Sequence, residues 1–252
     1  GLTVWKEGKS KNYKSRKYLE SKFIKDIIED KEGNIWVATS SGISKFSSDL
    51  SNVQFFSVKN QNIHYNRVTA LMCDRSNRIW YSTRGKGIGC VSDTGLIKMS
   101  TKEGLSDNMI RDIAEDDLGN MYLATADGGV DVLNIYAETI VIRNLNSSNG
   151  LNFENVYSVA CDDKNQLWVG GAKGVDRISN PFKKNMEVKS FGLSEGFIGL
   201  ETTQGAVTID KQNNLWWGTI NGLMKKPVGD ILNSVKAPKI SLASVNLFYK
   251  NI

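Results

Sequence analysis

The sequence predicts an all-β fold, a β-propeller of four-stranded blades, and three observations carry that expectation. One phrase returns five times: an Asp, a short polar or glycine-bearing stretch, an aliphatic residue and an aromatic. It runs from Asp30 to Trp36, Asp74 to Trp80, Asp116 to Tyr122, Asp162 to Trp168 and Asp210 to Trp216. The aromatics lie 44, 42, 46 and 48 residues apart. A strand-built period of about 40–50 residues marks propeller blades. Finally, 23 glycines against 3 prolines suit many short strands joined by tight turns.

The residues ahead of each Asp are apolar and read as a first strand: Ile27 and Ile28, Ala70 to Met72, Ile113 and Ala114, Val159 and Ala160, and Val207 to Ile209. A hairpin turn follows, in which the Asp side chain can accept from backbone N–H groups. It contains a pair tolerant of left-handed backbone: Gly33-Asn34, Asn77-Arg78, Gly119-Asn120, Asn165-Gln166 or Asn213-Asn214. The second strand carries the aromatic and, two residues on, a small residue: Ala38, Ser82, Ala124, Gly170 or Gly218. Side chains two apart share a strand face, so large stands beside small and neighbouring sheets can approach closely. A glycine turn then opens a third strand at Ile43, Ile88, Val130, Val175 and Leu223. Fourth strands are expected near 53–58, 96–100, 139–144 and 188–192. Between blades, Glu103-Gly-Leu, Asn149-Gly-Leu and Glu195-Gly-Phe recur, with 62–66 in the same slot without the glycine.

The ends differ from the middle. Gly1 to Trp5 resembles a third strand, so the chain starts mid-blade. Residues 1–236 are expected to hold five blade cores and a partial N-terminal blade, part of a seven-bladed ring. After Lys225 the register is lost. Pro227 and Pro238 bracket a linker, and 237–252 is expected to begin a second domain.

Apolar residues at 40% and charged residues at 23% match ordinary globular composition rather than disorder. No stretch has the roughly 18 apolar residues of a membrane helix. The net charge of +5 is mild. Its basic residues concentrate early, at Lys6, Lys9, Lys11, Lys14, Arg16, Lys17, Lys22 and Lys25. Only Tyr13 and Tyr18 interleave, so the segment reads as a solvated edge strand and its turns, and no nucleic-acid contact is expected. Cys73 and Cys161 share one repeat position two blades apart, too distant for a disulfide, and read as small core residues.

Catalytic constellations are sparse. His64 is the single histidine and lies in an inter-blade connection. Without a second His or a Cys-x-x-Cys pair, no metal site or cofactor is implied. The five Asps stand singly at turns rather than in an oxygen cage. Glu154, Glu195, Glu201, Asp107 and Asp127 could approach one rim, yet no spacing singles out an acid pair. Binding is better supported. The outer-to-inner connections and the turns after the second strands are expected on one face. They carry Asn66, Arg67, Arg84, Lys86, Asp107, Asn108, Asp127, Lys173, Glu201 and Asn221, with Tyr65 and Phe197 as candidate stacking aromatics. Variable polar loops on a rigid frame are where recognition is built.

The phrase Asp-x-x-Gly-Asn-Ile-Trp-Val-Ala-Thr, with Glu-Gly-Leu-Ser-x-Asn ahead of it, resembles the two-component-regulator propeller repeat. Residues 20–226 carry the likeness, and 237–250 carry a weaker one. Arg78 and Gln166 depart from the turn Asn, and Tyr122 from the Trp. The resemblance implies the periplasmic sensor region of a Bacteroides-type hybrid two-component histidine kinase anchored in the inner membrane. An oligosaccharide would be its ligand, and a second propeller and a tyrosine-rich immunoglobulin-like domain its neighbours. The full-length protein would be a homodimer, and this segment would have no enzymatic activity of its own. A protein-binding scaffold and a propeller lyase or glycosidase are the alternatives.

Overall fold

A computed structural model describes residues 1–13, 17–91, 97–136, 140–181, 185–199 and 201–227, with 246–247 and 250–251. Strands β1 (Leu2–Lys6) and β2 (Lys9–Tyr13) form a hairpin. Blade 1 consists of β3 (Ile24–Glu29), β4 (Ile35–Thr39), β5 (Gly42–Phe46) and β6 (Val53–Phe56). Blade 2 holds β7 (Val68–Cys73), β8 (Ile79–Thr83), β9 (Ile88–Val91) and β10 (Ile97–Met99). Blade 3 holds β11 (Ile110–Glu115), β12 (Asn120–Thr125), β13 (Val130–Asn134) and β14 (Val141–Leu145). Blade 4 holds β15 (Val156–Cys161), β16 (Leu167–Gly171), β17 (Gly174–Ser179) and β18 (Glu187–Phe191). Blade 5 is described by β19 (Thr202–Ile209), β20 (Leu215–Thr219) and β21 (Gly222–Lys226).

Every blade is an antiparallel meander in chain order. The first strands β3, β7, β11, β15 and β19 pack against one another around a central channel. The fold is a β-propeller, as the repeat predicts. The linker and proposed second domain lie outside the described residues, apart from the short antiparallel pair β22 (Asn246–Leu247) and β23 (Lys250–Asn251).

The repeated Asp builds one corner five times. In blade 1, Asp30 Oδ1 accepts from the backbone N–H groups of Glu32 and Asn34 at 3.0 and 2.9 Å. Its Oδ2 accepts from the Trp36 indole at 2.7 Å. Asp74, Asp162 and Asp210 repeat the set with Trp80, Trp168 and Trp216, each at 2.9 Å. In blade 3 the Tyr122 hydroxyl donates to Asp116 at 2.8 Å, so Tyr keeps the bond that Trp makes elsewhere. The expectation of a left-handed pair needs correction. Only the first member is left-handed, with φ between 55° and 86° at Gly33, Asn77, Gly119, Asn165 and Asn213. The second opens the next strand in blade 3 and directly precedes it in the others, and Asn34, Arg78, Asn120 and Asn214 turn their side chains back onto the Asp.

Large against small then locks blade to blade. Trp36 and Ala38 pack with Val68, Leu71, Ile79 and Tyr81 of blade 2. Trp80 packs on blade 3, Tyr122 on blade 4 and Trp168 on blade 5. The small residue is a steric requirement: a Cβ on Gly170 would come within 2.4 Å of Ser158 Oγ. The N-terminal hairpin joins the same scheme, with Tyr13 buried against Val37 and Phe46. Cys73 and Cys161 are half-buried against two of these clusters, and all three cysteines are free.

Candidate functional site

An antiparallel meander puts the turn after the second strand at the same end as the connection entering the blade. One backbone bond fastens the two together in four blades. Ser40 N–H donates to Phe23 O at 3.1 Å, Arg84 to Arg67 at 2.9 Å, Ala126 to Met109 at 3.0 Å and Ile220 to Glu201 at 3.1 Å. The rung is constant and its side chains are not: aromatic with hydroxyl in blade 1, doubly cationic in blade 2, anionic with aliphatic in blade 5.

Inside this ring of rungs lies a second ring. Each first strand carries a β-bulge near its start, seen as a register shift after Ile24, Val68, Ile110, Val156 and Thr202. A bulge frees a residue from the ladder and re-aims its side chain. Lys25, Thr69, Arg111, Tyr157 and Thr203 occupy these positions. With the rung residues other than Ala126 they line a cavity of about 550 Å³ at the channel mouth. Tyr157 and Arg111 are stacked, the guanidinium carbon 4.6 Å from the ring centre. Arg111 Nη1 also donates to Asn155 Oδ1 and, at 3.3 Å, to Val156 O.

Blade 5 departs from the pattern. Thr202 pairs with Thr219, and the next paired residue is Val207, opposite Trp217. The intervening chain, with Gly205 at φ 62°, swings into the channel. There Gln204 Nε2 donates to Arg111 O at 3.4 Å.

Deeper down, a cavity of about 300 Å³ is lined by Asp26, Thr69, Asp112, Gln204 and neighbours. Asp26 Oδ2 accepts from Leu71 N–H of the next blade at 2.7 Å, and Asp112 Oδ2 from Val159 N–H at 3.0 Å. Their other oxygens accept from Ile27 and Ile113. The two carboxylates thus hoop blade 1 to 2 and blade 3 to 4 at the axis. Burial pushes Asp112 up to about 7, helped by the charge of Asp26, and burial raises Asp26 as well.

Of the expected rim residues, Arg67, Arg84 and Glu201 come together at the mouth. Lys86 and Asn108 line a separate cavity with His64 and Lys98. Asn66 and Asn108 turn their amide oxygens onto their own connections, accepting from Val58 and Thr101 N–H. Asp107 is half-buried and accepts from Met109 N–H. Asp127, Lys173 and Asn221 are exposed outside the mouth. Phe197 is buried against Trp217 rather than offered for stacking, and Tyr65 does not line the mouth. The aromatics that do are Phe23, 62% exposed, and Tyr157. Lys25 is likewise corrected from an edge strand to the innermost strand of blade 1. These residues had a sequence signal: Lys25, Thr69, Arg111 and Tyr157 each stand five positions ahead of a corner Asp.

His64 is structural. In blades 3 and 4 a buried third-strand carboxylate, Asp131 or Asp176, accepts from the entering connection, at Ser106 or Asn152 N–H. Blade 2 has Gly89 on that strand, where a Cβ would fall 2.4 Å from the Tyr81 hydroxyl oxygen. That hydroxyl takes over, accepting from His64 N–H at 3.0 Å and pairing with Nδ1 at 2.7 Å. His64 Nε2 lies 2.9 Å from Lys86 O, which fixes the neutral tautomer with the proton on Nε2. Burial lowers its pKa.

Fold and mouth together define a propeller with a ligand-sized polar opening on its connection face. Three stretches, residues 18–41, 104–127 and 150–173, match the family described as two component regulator propeller. Each stretch takes in the first and second strands and the corner turn of one blade, in blades 1, 3 and 4. No curated protein matches the sequence. Among solved structures, the chain is similar to the extracellular domain of the hybrid two component system BT3049 from B. thetaiotaomicron. The TM-score is 0.81 at 21% identity, over 99% of this chain and 35% of that one. The corresponding domain of BT4673 from the same organism gives 0.67 at 19% identity, over 81% and 29%. Virginiamycin B lyase from Staphylococcus aureus gives 0.59 at 16% identity, over 81% and 70%. The chain therefore spans about a third of the extracellular domains it matches. Among the described residues no helix is long and apolar enough to cross a membrane.

Proposed function

We propose that this chain is a non-enzymatic, ligand-sensing propeller segment of the periplasmic sensor region of a hybrid two-component histidine kinase, and that its ligand is an oligosaccharide. The observation that carries the reading is the mouth: one backbone rung repeated from blade to blade, its side chains different in each. Planar amide and guanidinium groups suit sugar hydroxyl pairs, and Phe23 and Tyr157 offer ring faces. The repeat family and the likeness to extracellular domains of hybrid two component systems support the setting.

Likeness to a lyase does not favour an enzyme here. Glu201 is the single carboxylate among the described residues lining the mouth. His64, the only histidine, is committed to Tyr81 and Lys86. A bound sugar would clasp first strands from several blades and shift their packing against an adjoining propeller, an immunoglobulin-like domain or a second protomer. The shift is limited to the ligand's differential affinity for the two arrangements. The test is calorimetric titration of the full chain against a panel of glycan fragments. Binding by at least one member, weakened when Tyr157 becomes Ala, is expected. Silence across the panel, or turnover of a bound glycan, would refute the proposal.

A further inference from the structure

We infer that the mouth selects an acidic oligosaccharide, with the carboxylate or sulfate group of the sugar held between Arg67 and Arg84. This rests on the glycan-sensing reading above and narrows it to a charge class.

The cavity is lined by Lys25, Arg67, Arg84 and Arg111 against Glu201 alone. Such an excess in a concave site focuses positive potential and draws anions. Among the described residues none of these four cations is in an ion pair. Lys45 with Asp30, Arg75 with Glu115 and Arg78 with Asp74 form ion pairs around the corner turns of the opposite face. The channel carboxylates Asp26 and Asp112 accept from backbone N–H groups on both oxygens, and neither forms an ion pair with a cation of the mouth.

Arg67 and Arg84 are joined backbone to backbone by the 2.9 Å rung. Two guanidinium groups thus leave adjoining points of the same rim, and both side chains are exposed. Like charges so placed repel, and an anion between them removes the repulsion. The planar donor fork of arginine matches the paired oxygens of a carboxylate or sulfate. Arg111 contributes a fixed charge, held by Asn155 and Val156 and stacked on Tyr157. Glu201, across the mouth, disfavours a second anionic group there. The arrangement asks for one acid group on an otherwise hydroxylated ligand.

The test is titration of the full chain with a galactose trimer carrying a single galacturonate residue, a monosulfated galactose trimer and neutral galactotriose, at low and high salt. We expect an acidic trimer to bind at least about tenfold tighter than the neutral one, with the preference shrinking at high salt. In the Arg67→Gln/Arg84→Gln variant the preference should vanish while any neutral binding persists. Glu201→Gln should tighten acidic binding. Circular dichroism confirms that the variants keep the fold. Which acidic trimer binds distinguishes carboxylate from sulfate recognition. Equal or tighter binding of galactotriose overturns the inference and leaves the glycan reading standing, as does a preference surviving the double substitution. Binding of a neutral panel member with no acidic trimer bound does the same. Failure of every sugar overturns both.

Discussion

Replacing Asp74 by Ala should cost about 3 kcal/mol of stability, from breaking a buried charged pair and orphaning donors around it. The carboxylate is fully buried and accepts four bonds. Ser76 and Arg78 N–H donate to Oδ1 at 2.9 and 2.8 Å, and Arg78 Nε and the Trp80 indole to Oδ2 at 2.6 and 2.9 Å. Water reaches part of the turn, since Arg75 and Ser76 are exposed. That rehydrates the backbone donors and holds the loss near the lower end of what a broken buried ion pair costs. The Trp80 indole cannot be rehydrated, because Trp80 sits inside the packing between blades 2 and 3. Equilibrium unfolding in urea, read by tryptophan fluorescence, measures the loss as a lower midpoint at unchanged slope. Asp74→Asn should keep most of the defect, since its amide N–H₂ meets the indole and guanidinium donors head on. Asp210 makes the same bonds to Gln212, Asn214 and Trp216, but at a half-buried corner. Asp210→Ala should therefore do much less. A loss at Asp74 below about 1 kcal/mol, or one no larger than at Asp210, would refute the view that these corners act through buried indole and guanidinium bonds.

Other consequences are open to measurement. Gly89→Ala should displace the Tyr81 hydroxyl and lower the melting temperature more than Gly192→Ala, whose added Cβ would meet only ordinary contacts, the nearest Glu195 Oε2 at 3.6 Å. His64 should titrate by NMR below its ordinary 6.5, because burial favours the neutral ring. Its contribution to stability is then complete above 6.5 and fades as pH falls through the lowered value. A midpoint at or above 6.5 would contradict the neutral tautomer. Asp112 has the opposite sign: raised from 3.8 to about 7, it favours the fold below 3.8 and loses that contribution as pH rises through 7. In Asp112→Asn this downward slope between pH 4 and 7 should disappear from the stability profile, and an unchanged slope would refute the shift.

The sequence carried the blades and their corners because both are local. Asp, the left-handed Gly or Asn and the aromatic fall within seven residues, and their spacing repeats. It did not show what the Asp accepts beyond the turn, since the Trp36 or Tyr122 donor returns to it only after the second strand has paired. The mouth was half legible. Arg67, Arg84 and Glu201 sit in connections, where a search for variable polar residues looks. Lys25, Arg111 and Tyr157 sit within strands and reach the cavity only because a bulge takes each out of its ladder. Phe197 misled for the converse reason: it lies in a connection, yet its ring plugs the seam between blades 4 and 5. The long excursion of β19 left one trace, the spacing of 48 residues from Trp168 to Trp216, the widest of the series.

That excursion separates two design variables that a closed ring would otherwise tie together. Elsewhere the axial strands are clamped to their neighbours, so lengthening one would disturb a seam. Residues 203–205 hang free of any partner strand while still reaching the Arg111 carbonyl. Insertions or deletions there would deepen or shallow the pocket floor and leave every wedge in place. Related arrays could thus diverge in what they recognise by editing a few residues of slack rather than by rebuilding the wheel.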